Sequence, residues 1–305
     1  MANIGIVGGG NVGANTAFFL AEKNVADVLL YDIQEGLATG KTLDMMEAAP
    51  VRGYQTKLSG TDSLQDVLDR DIVIIAAGAI REPGQKRDDL IDKNRALVEE
   101  LAGKLKGHKG IVIIATEPVD ALTTLFVKVS GLPRERVLGV GGVLDGARLR
   151  YLIAEELGAS TDDIAATVIG PHNDAMLPLI DYTTVAGIPV SRLLPADRIQ
   201  ALFEATRSAG DDHLAAAKRS SAYYGPAAAA CDLVEAIVGN TNRVLAVSFV
   251  LDGELGVSGV AASLPATIGA GGITRVMVPK LKDAEKTQFA DGAAAVAKIL
   301  EGSNR

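Results

Sequence analysis

Short, unbroken apolar runs alternate with longer amphipathic stretches through the first half of the chain. Asn3-Ile4-Gly5-Ile6-Val7 and residues 26–31, 71–78 and 110–115 are dominated by consecutive apolar side chains, as strands buried on both faces are. Residues 54–58 and 137–140 read as two further short strands. Between the runs, residues 14–23, 35–48, 64–68, 90–105 and 119–130 read as helices. Strands alternating with helices predict a mostly parallel, doubly wound sheet, with ligands beyond the carboxyl ends of its strands. That geometry would gather residues 8–13, 78–87 and 116–118 around one crevice.

The second half is patterned differently. Residues 144–157, 226–238 and 284–300 read as helices, and 196–218 as a helix kinked near Gly210. Residues 164–169, 244–250, 257–262 and 273–278 read as strands. The fold expected is α/β: an N-terminal Rossmann doubly wound parallel sheet over 1–141, then an α+β substrate/catalytic domain over 142–305 on its own core. No repeat or low-complexity linker interrupts it.

The first strand runs straight into Gly8-Gly9-Gly10-Asn11-Val12-Gly13, with Gly8, Gly10 and Gly13 at G-x-G-x-x-G spacing. The next apolar run ends in Asp32. In this order each part has a physical task in dinucleotide binding: Gly8 for the tight turn, Gly10 for the approach of a pyrophosphate, Gly13 for close helix packing. The helix start offers free N–H groups to phosphate. Asp32 can accept hydrogen bonds from both adenosine ribose hydroxyls and would repel a 2′-phosphate, favouring NAD over NADP. A second glycine motif, Gly36 to Thr42, is one residue short of a phosphate-binding P-loop and lies inside a helical pattern, so Lys41 reads as a solvated charge.

Composition narrows the function classes. The 305 residues are 48% hydrophobic, enough for a substantial core. A net charge of −8 without a basic run speaks against nucleic acid and anionic membranes as partners. No apolar run reaches the length of a membrane span, and the start lacks a signal-peptide pattern. The single cysteine, Cys231, reads as a small buried residue, and a cytoplasmic location is expected. Of three histidines, His108 and His213 read as exposed, whereas His172 follows an apolar strand in a turn. No metal site and no Tyr-x-x-x-Lys pair is present in the pattern.

Behind the NAD turn come, in order, Arg81-Glu82-Pro83-Gly84-Gln85-Lys86-Arg87-Asp88-Asp89-Leu90, Val143-Leu144-Asp145-Gly146-Ala147-Arg148 and Gly170-Pro171-His172-Asn173-Asp174. Ser221-Ala222-Tyr223-Tyr224-Gly225-Pro226 and Ile268-Gly269-Ala270-Gly271-Gly272-Ile273 follow. Over nearly its whole length the chain thereby resembles the lactate/malate dehydrogenase family, and within it the lactate-dehydrogenase-like malate dehydrogenases. The resemblance implies hydride transfer between (S)-malate and NAD, giving oxaloacetate and NADH. It makes His172 the proton-transfer residue, Asp145 its carboxylate partner and Arg87 a mobile-loop arginine that polarises the substrate carbonyl. Arg148 would bind the C1 carboxylate, Arg81 a second carboxylate, and small Ala222 would face the substrate. Pro83 and Gly84 would belong to a loop closing over it. Cofactor contacts would come from Gly8, Gly10, Asn11, Val12, Gly13, Asp32, Ala77, Gly78, Asn94, Thr116 and Glu117. A homodimer or homotetramer is implied as well.

Two departures stand out. Glu117 occupies a position where most relatives carry an asparagine that touches substrate and the nicotinamide ribose. A carboxylate accepts hydrogen bonds there but cannot donate, and it opposes an anionic substrate. Pro171 and Asn173 alter the turn around His172, one by removing a backbone donor, the other by replacing a glycine. Two alternatives therefore accompany the reading: a dehydrogenase for another 2-hydroxy acid (lactate or a sulfonated analogue), or an NAD-binding protein with impaired catalysis.

Overall fold

The computed structural model of the chain describes residues 2–82, 84–218 and 221–302. Its first half is built from β1 (Ile4–Val7), α1 (Asn11–Glu22), β2 (Val28–Tyr31), α2 (Leu37–Arg52), β3 (Leu58–Thr61), α3 (Leu64–Leu68) and β4 (Ile72–Ile75). It continues with α4 (Ile91–Lys104), β5 (Ile111–Ile114), α5 (Val119–Ser130) and β6 (Val137–Gly139). The six strands lie in the order β3-β2-β1-β4-β5-β6, all parallel. Every residue of β1, β4 and β5 is buried, which is why these runs are Ile- and Val-rich and do not alternate. The winding reverses between β1 and β4, and this switch point opens the ligand crevice.

The second half comprises α6 (Gly141–Leu157), β7 (Ile164–Ala165), β8 (Val168–Ile169), β9 (Leu177–Pro178), β10 (Thr184–Val185), β11 (Ile188–Pro189) and α7 (Ala196–Ala217). It closes with α8 (Tyr224–Val238), β12 (Arg243–Asp252), β13 (Ser258–Gly269), β14 (Gly272–Val276) and α9 (Asp283–Gly302). β12 joins β6 antiparallel at Ser248↔Gly139, so β12, β13 and β14 extend the same sheet to nine strands. The separate core expected for this half is only partly present. Leu149, Ile153, Met176 and Phe203 form a cluster of their own, but Ala230, Val247, Leu264 and Phe289 share one core with Ile4, Ile74 and Leu138. Among the described residues no helix is long and apolar enough to cross a membrane.

Several local expectations are corrected. The run at 54–58 forms a strand only from Leu58 onward, because the ladder with β2 begins at Val28↔Leu58. Tyr54 still plugs the core from outside the sheet. The 164–169 run breaks into β7 and β8, which pair with different partners, β10 and β9. β13 continues past Ala262 through Pro265, whose carbonyl accepts from Met277 just beyond β14; the ring's missing N–H thus faces the place where β14 has already ended. α7 is one helix through Gly210. Lys41 is not a free charge: its Nζ donates to Gly9 O at 2.6 Å. His108 is half-buried rather than exposed, and burial lowers its pKa.

Candidate active site

The carboxyl ends of β1, β4 and β5 open into one cavity of about 680 Å³ that runs from the glycine turn to His172. At its first end lie Gly8, Gly10, Asn11, Val12 and Asp32. A Cβ on Gly13 would stand 1.9 Å from Gly8 O, so only glycine lets α1 start this close to the turn. Gly10 faces open space, α1 has no side-chain cap, and no acid stands in its first turn. Free N–H groups therefore point outward, as an anion needs. Asp32 accepts from Gly9 N at 2.7 Å and Gln34 N at 2.9 Å, which fixes its carboxylate at the end of β2. These features fit an NAD molecule: an unblocked helix start for the pyrophosphate and an oriented carboxylate for the ribose.

The middle of the cavity is polar backbone held in place by side chains. Ala77, Gly78, Asn94 and Thr116 line it. Asn94 accepts from Ala79 N at 2.7 Å and donates to Glu117 O at 2.7 Å, tying the ends of β4 and β5 together. Thr116 donates to Ala77 O at 2.7 Å.

The far end carries the titratable groups. α6 presents Asp145 and Arg148 one turn apart. Asp145 does not line the cavity; it stands behind His172, with Oδ2 2.7 Å from Nδ1. The His172 backbone N–H donates to Asp120 Oδ2 at 2.6 Å, and Asp120 Oδ1 takes the Ser248 hydroxyl at 2.5 Å. Neither Asp120 nor Ser248 was marked by the sequence reading. An acid between Val119 and Ala121, on a helix with apolar flanks, was the available signal for Asp120; Ser248 offered none. Pro171 costs the turn nothing at His172, whose own N–H is the one used.

Three guanidinium groups converge here. Arg148 is one-tenth exposed, and among the described residues its Nε and Nη1 have no hydrogen-bond partner; the nearest Asp145 oxygen is 3.6 Å away. Burial lowers its pKa, against the pull of Asp145. Arg87 donates to His172 O at 3.3 Å and packs where a Cβ on Gly210 would stand 2.1 Å from Nη2. Arg81 is buried, donating to Gly210 O at 2.7 Å and Asp211 Oδ1 at 2.6 Å. Arg81 thus fastens its segment to α7, and Arg87 packs against α7 at Gly210; Pro83 lies outside the described residues. Ala222 lines the wall beside Ser221.

Glu117, preceding Pro118 across a cis peptide bond, turns its Oε1 onto His172 Nε2 at 3.2 Å and lies 3.7 Å from Arg87 Nε. Withdrawal from water would raise its pKa, but His172 and Arg87 outweigh that and hold it at about 2. For His172 burial works downward, yet Asp145 and Glu117 together push its pKa up.

A nucleotide crevice at a sheet switch point, ending in a carboxylate-backed histidine among arginines, defines an NAD-dependent oxidoreductase. Residues 2–139 match the family model for the lactate/malate dehydrogenase NAD binding domain, and residues 142–304 that for the lactate/malate dehydrogenase alpha/beta C-terminal domain. The chain belongs to the lactate/malate dehydrogenase family. It is 41% identical over 301 residues to a malate dehydrogenase of Desulforudis audaxviator, covering 98% of this chain and 97% of the relative. The crystal structure of Cryptosporidium parvum malate dehydrogenase superposes with a TM-score of 0.96 at 32% identity, covering 99% and 98% of the two chains. The lactate dehydrogenase of the same organism, complexed with lactic acid and nicotinamide adenine dinucleotide, matches with a TM-score of 0.95 at 32% identity, covering 100% and 98%. Overall shape therefore does not separate the two substrates; the residues at the far end of the cavity must.

Proposed function

We propose that this protein is an NAD-dependent malate dehydrogenase that interconverts (S)-malate and oxaloacetate. The observation that carries the reading is the buried Arg148 guanidinium in the cavity wall, which among the described residues has no hydrogen-bonded anion, its nearest Asp145 oxygen standing 3.6 Å away. A planar carboxylate suits a guanidinium so placed. Arg81 supplies a second cation along the same wall, one that would exchange its exposed partner Asp211 for a second substrate carboxylate, so a dicarboxylate suits the site better than lactate. His172 exchanges a proton with the substrate oxygen through Nε2, while Asp145 holds Nδ1–H and with it the tautomer. Arg87 stabilises charge developing on that oxygen. NAD, when bound along the glycine turn, supplies hydride acceptance and donation. Segment 79–90 shuts water out once substrate is in place.

The reading includes a cytoplasmic enzyme, in keeping with a lone buried thiol, and an assembly of two or four identical chains, in keeping with the family. The test is NADH oxidation by purified protein with oxaloacetate or pyruvate, repeated with NADPH. Fast turnover with oxaloacetate and NADH alone is expected, and abolition by His172→Ala. Tight NADH binding without turnover would instead mark a nucleotide-binding protein whose proton-transfer nitrogen is blocked by Glu117.

A further inference from the structure

The His172 imidazole stands between two carboxylates. Asp145 Oδ2 lies 2.7 Å from Nδ1, and Glu117 Oε1 lies 3.2 Å from Nε2. An ionised carboxylate only accepts hydrogen bonds, and a neutral imidazole has a single N–H to give. A neutral ring would leave one carboxylate facing a nitrogen lone pair at contact distance. Only the imidazolium satisfies both. Glu117 is also tethered: Oε2 accepts from Val119 N at 3.4 Å, and its backbone carbonyl accepts from Asn94 at 2.7 Å.

We propose that Glu117 is a positioning residue that holds His172 as an imidazolium between two carboxylates in the substrate-free enzyme, so that the protein waits in the form that reduces a 2-oxo acid. This rests on the malate dehydrogenase reading and deepens it. In reduction, the proton on Nε2 goes to the carbonyl oxygen as the carbonyl carbon takes up hydride, and the ring ends neutral. Oxidation of a 2-hydroxy acid must start from the neutral ring, the state Glu117 opposes. Glu117 and the substrate oxygen compete for one nitrogen, so the carboxylate leaves Nε2 when substrate enters.

The charges around the ring come from every side. α6 contributes Asp145 and, behind it, Arg148; the 79–90 segment contributes Arg87, while its Asp88 faces Glu117 rather than the ring; and α5 contributes Asp120 at the backbone N–H. Arg87 opposes protonation, while Asp145 and Glu117 favour it and raise the ring's pKa. An opposite charge at this range shifts a pKa by about one to three units.

The experiment compares wild type, Glu117→Gln and Glu117→Asp in two ways. In the first, kcat/KM is measured against pH for oxaloacetate reduction and malate oxidation. Glu117→Gln should move the alkaline limb of reduction and the acid limb of oxidation down together by about one pH unit or more, whatever its plateau rate. Glu117→Asp, which keeps the charge, should recover part of the shift. A limb displaced by less than about 0.3 unit overturns the proposal. In the second, the three histidines are labelled with ¹⁵N and titrated by NMR without substrate. Wild-type His172 should keep both ring nitrogens protonated to higher pH than Glu117→Gln does; coincident titrations overturn the proposal. Absence of turnover on both substrates in wild type would sink the malate dehydrogenase reading, while the NMR comparison would still decide the role of Glu117.

Discussion

Asp145 and His172 come from different elements, yet their side chains meet at 2.7 Å with only 2% of each exposed. So dry a contact makes the carboxylate strong in orienting the ring, because no water competes for it. Asp145→Asn keeps the shape but offers an amide that can itself donate to Nδ1 and so selects the wrong tautomer. kcat should fall by on the order of 10²- to 10⁴-fold with KM changed far less, as read by steady-state kinetics. A loss below about tenfold would remove Asp145 from the proton path.

Arg81 is anchored on α7 by Gly210 O and Asp211, and lines the cavity beyond Arg87. Arg81→Gln keeps much of the stem and removes the charge. kcat/KM for oxaloacetate should drop by about 100-fold or more, and that for pyruvate much less, because the deleted cation has no partner on a monocarboxylate. Equal losses on both substrates would mean that Arg81 serves only to fasten the 79–90 segment.

The Asp32 carboxylate has one hydrogen bond from backbone to each oxygen, which leaves a lone pair on each for a ribose hydroxyl. Asp32→Ala should weaken NADH binding by about ten- to hundred-fold and improve NADPH binding, as charge-assisted hydrogen bonds are lost and a repulsion is removed. Fluorescence titration with both nucleotides measures the ratio. A ratio unchanged by the substitution would move the discrimination elsewhere on the crevice.

Burial pushes the Asp120 carboxyl up from 3.8 to about 6, against hydrogen bonds from Ser248 and His172. Between these pH values the folded chain binds a proton that the unfolded chain has released. Stability from this group is therefore full below about pH 4 and declines as pH rises to about 6. Asp120→Asn cannot titrate, so its melting temperature relative to wild type should increase across that window. The relative change corresponds to on the order of a few kcal/mol, read by calorimetry in steps of pH. A constant difference between the two proteins would place the Asp120 pKa elsewhere.

The fold was readable wherever local pattern and burial agree. The Ile- and Val-rich runs at β1, β4 and β5 are buried on both faces, so their apolar character is continuous and unmistakable. α5 begins and ends where the sequence pattern places it, between Pro118 and a left-handed Gly131. Elements set by a partner strand were less readable. β3 starts where β2 begins its ladder, and β7 and β8 part because they are claimed by two different neighbours. No residue in those segments announces its partner.

By itself the sequence determined the glycine turn and the acid after β2, because each is a matter of residue type at short spacing; the charged residues of the crevice, Asp120 apart, followed from the family resemblance of several motifs in one order. The tertiary structure alone decided how those charges meet. Arg81 and Arg87 reach α7, more than a hundred residues away, and Asp120 reaches the backbone of His172. Glu117, expected at the cofactor and substrate but not at the histidine, was brought onto His172 Nε2 at 3.2 Å. Distances of that kind are set by packing between elements remote in the chain, and it is distance in a dry site that turns a carboxylate into a partner for a proton.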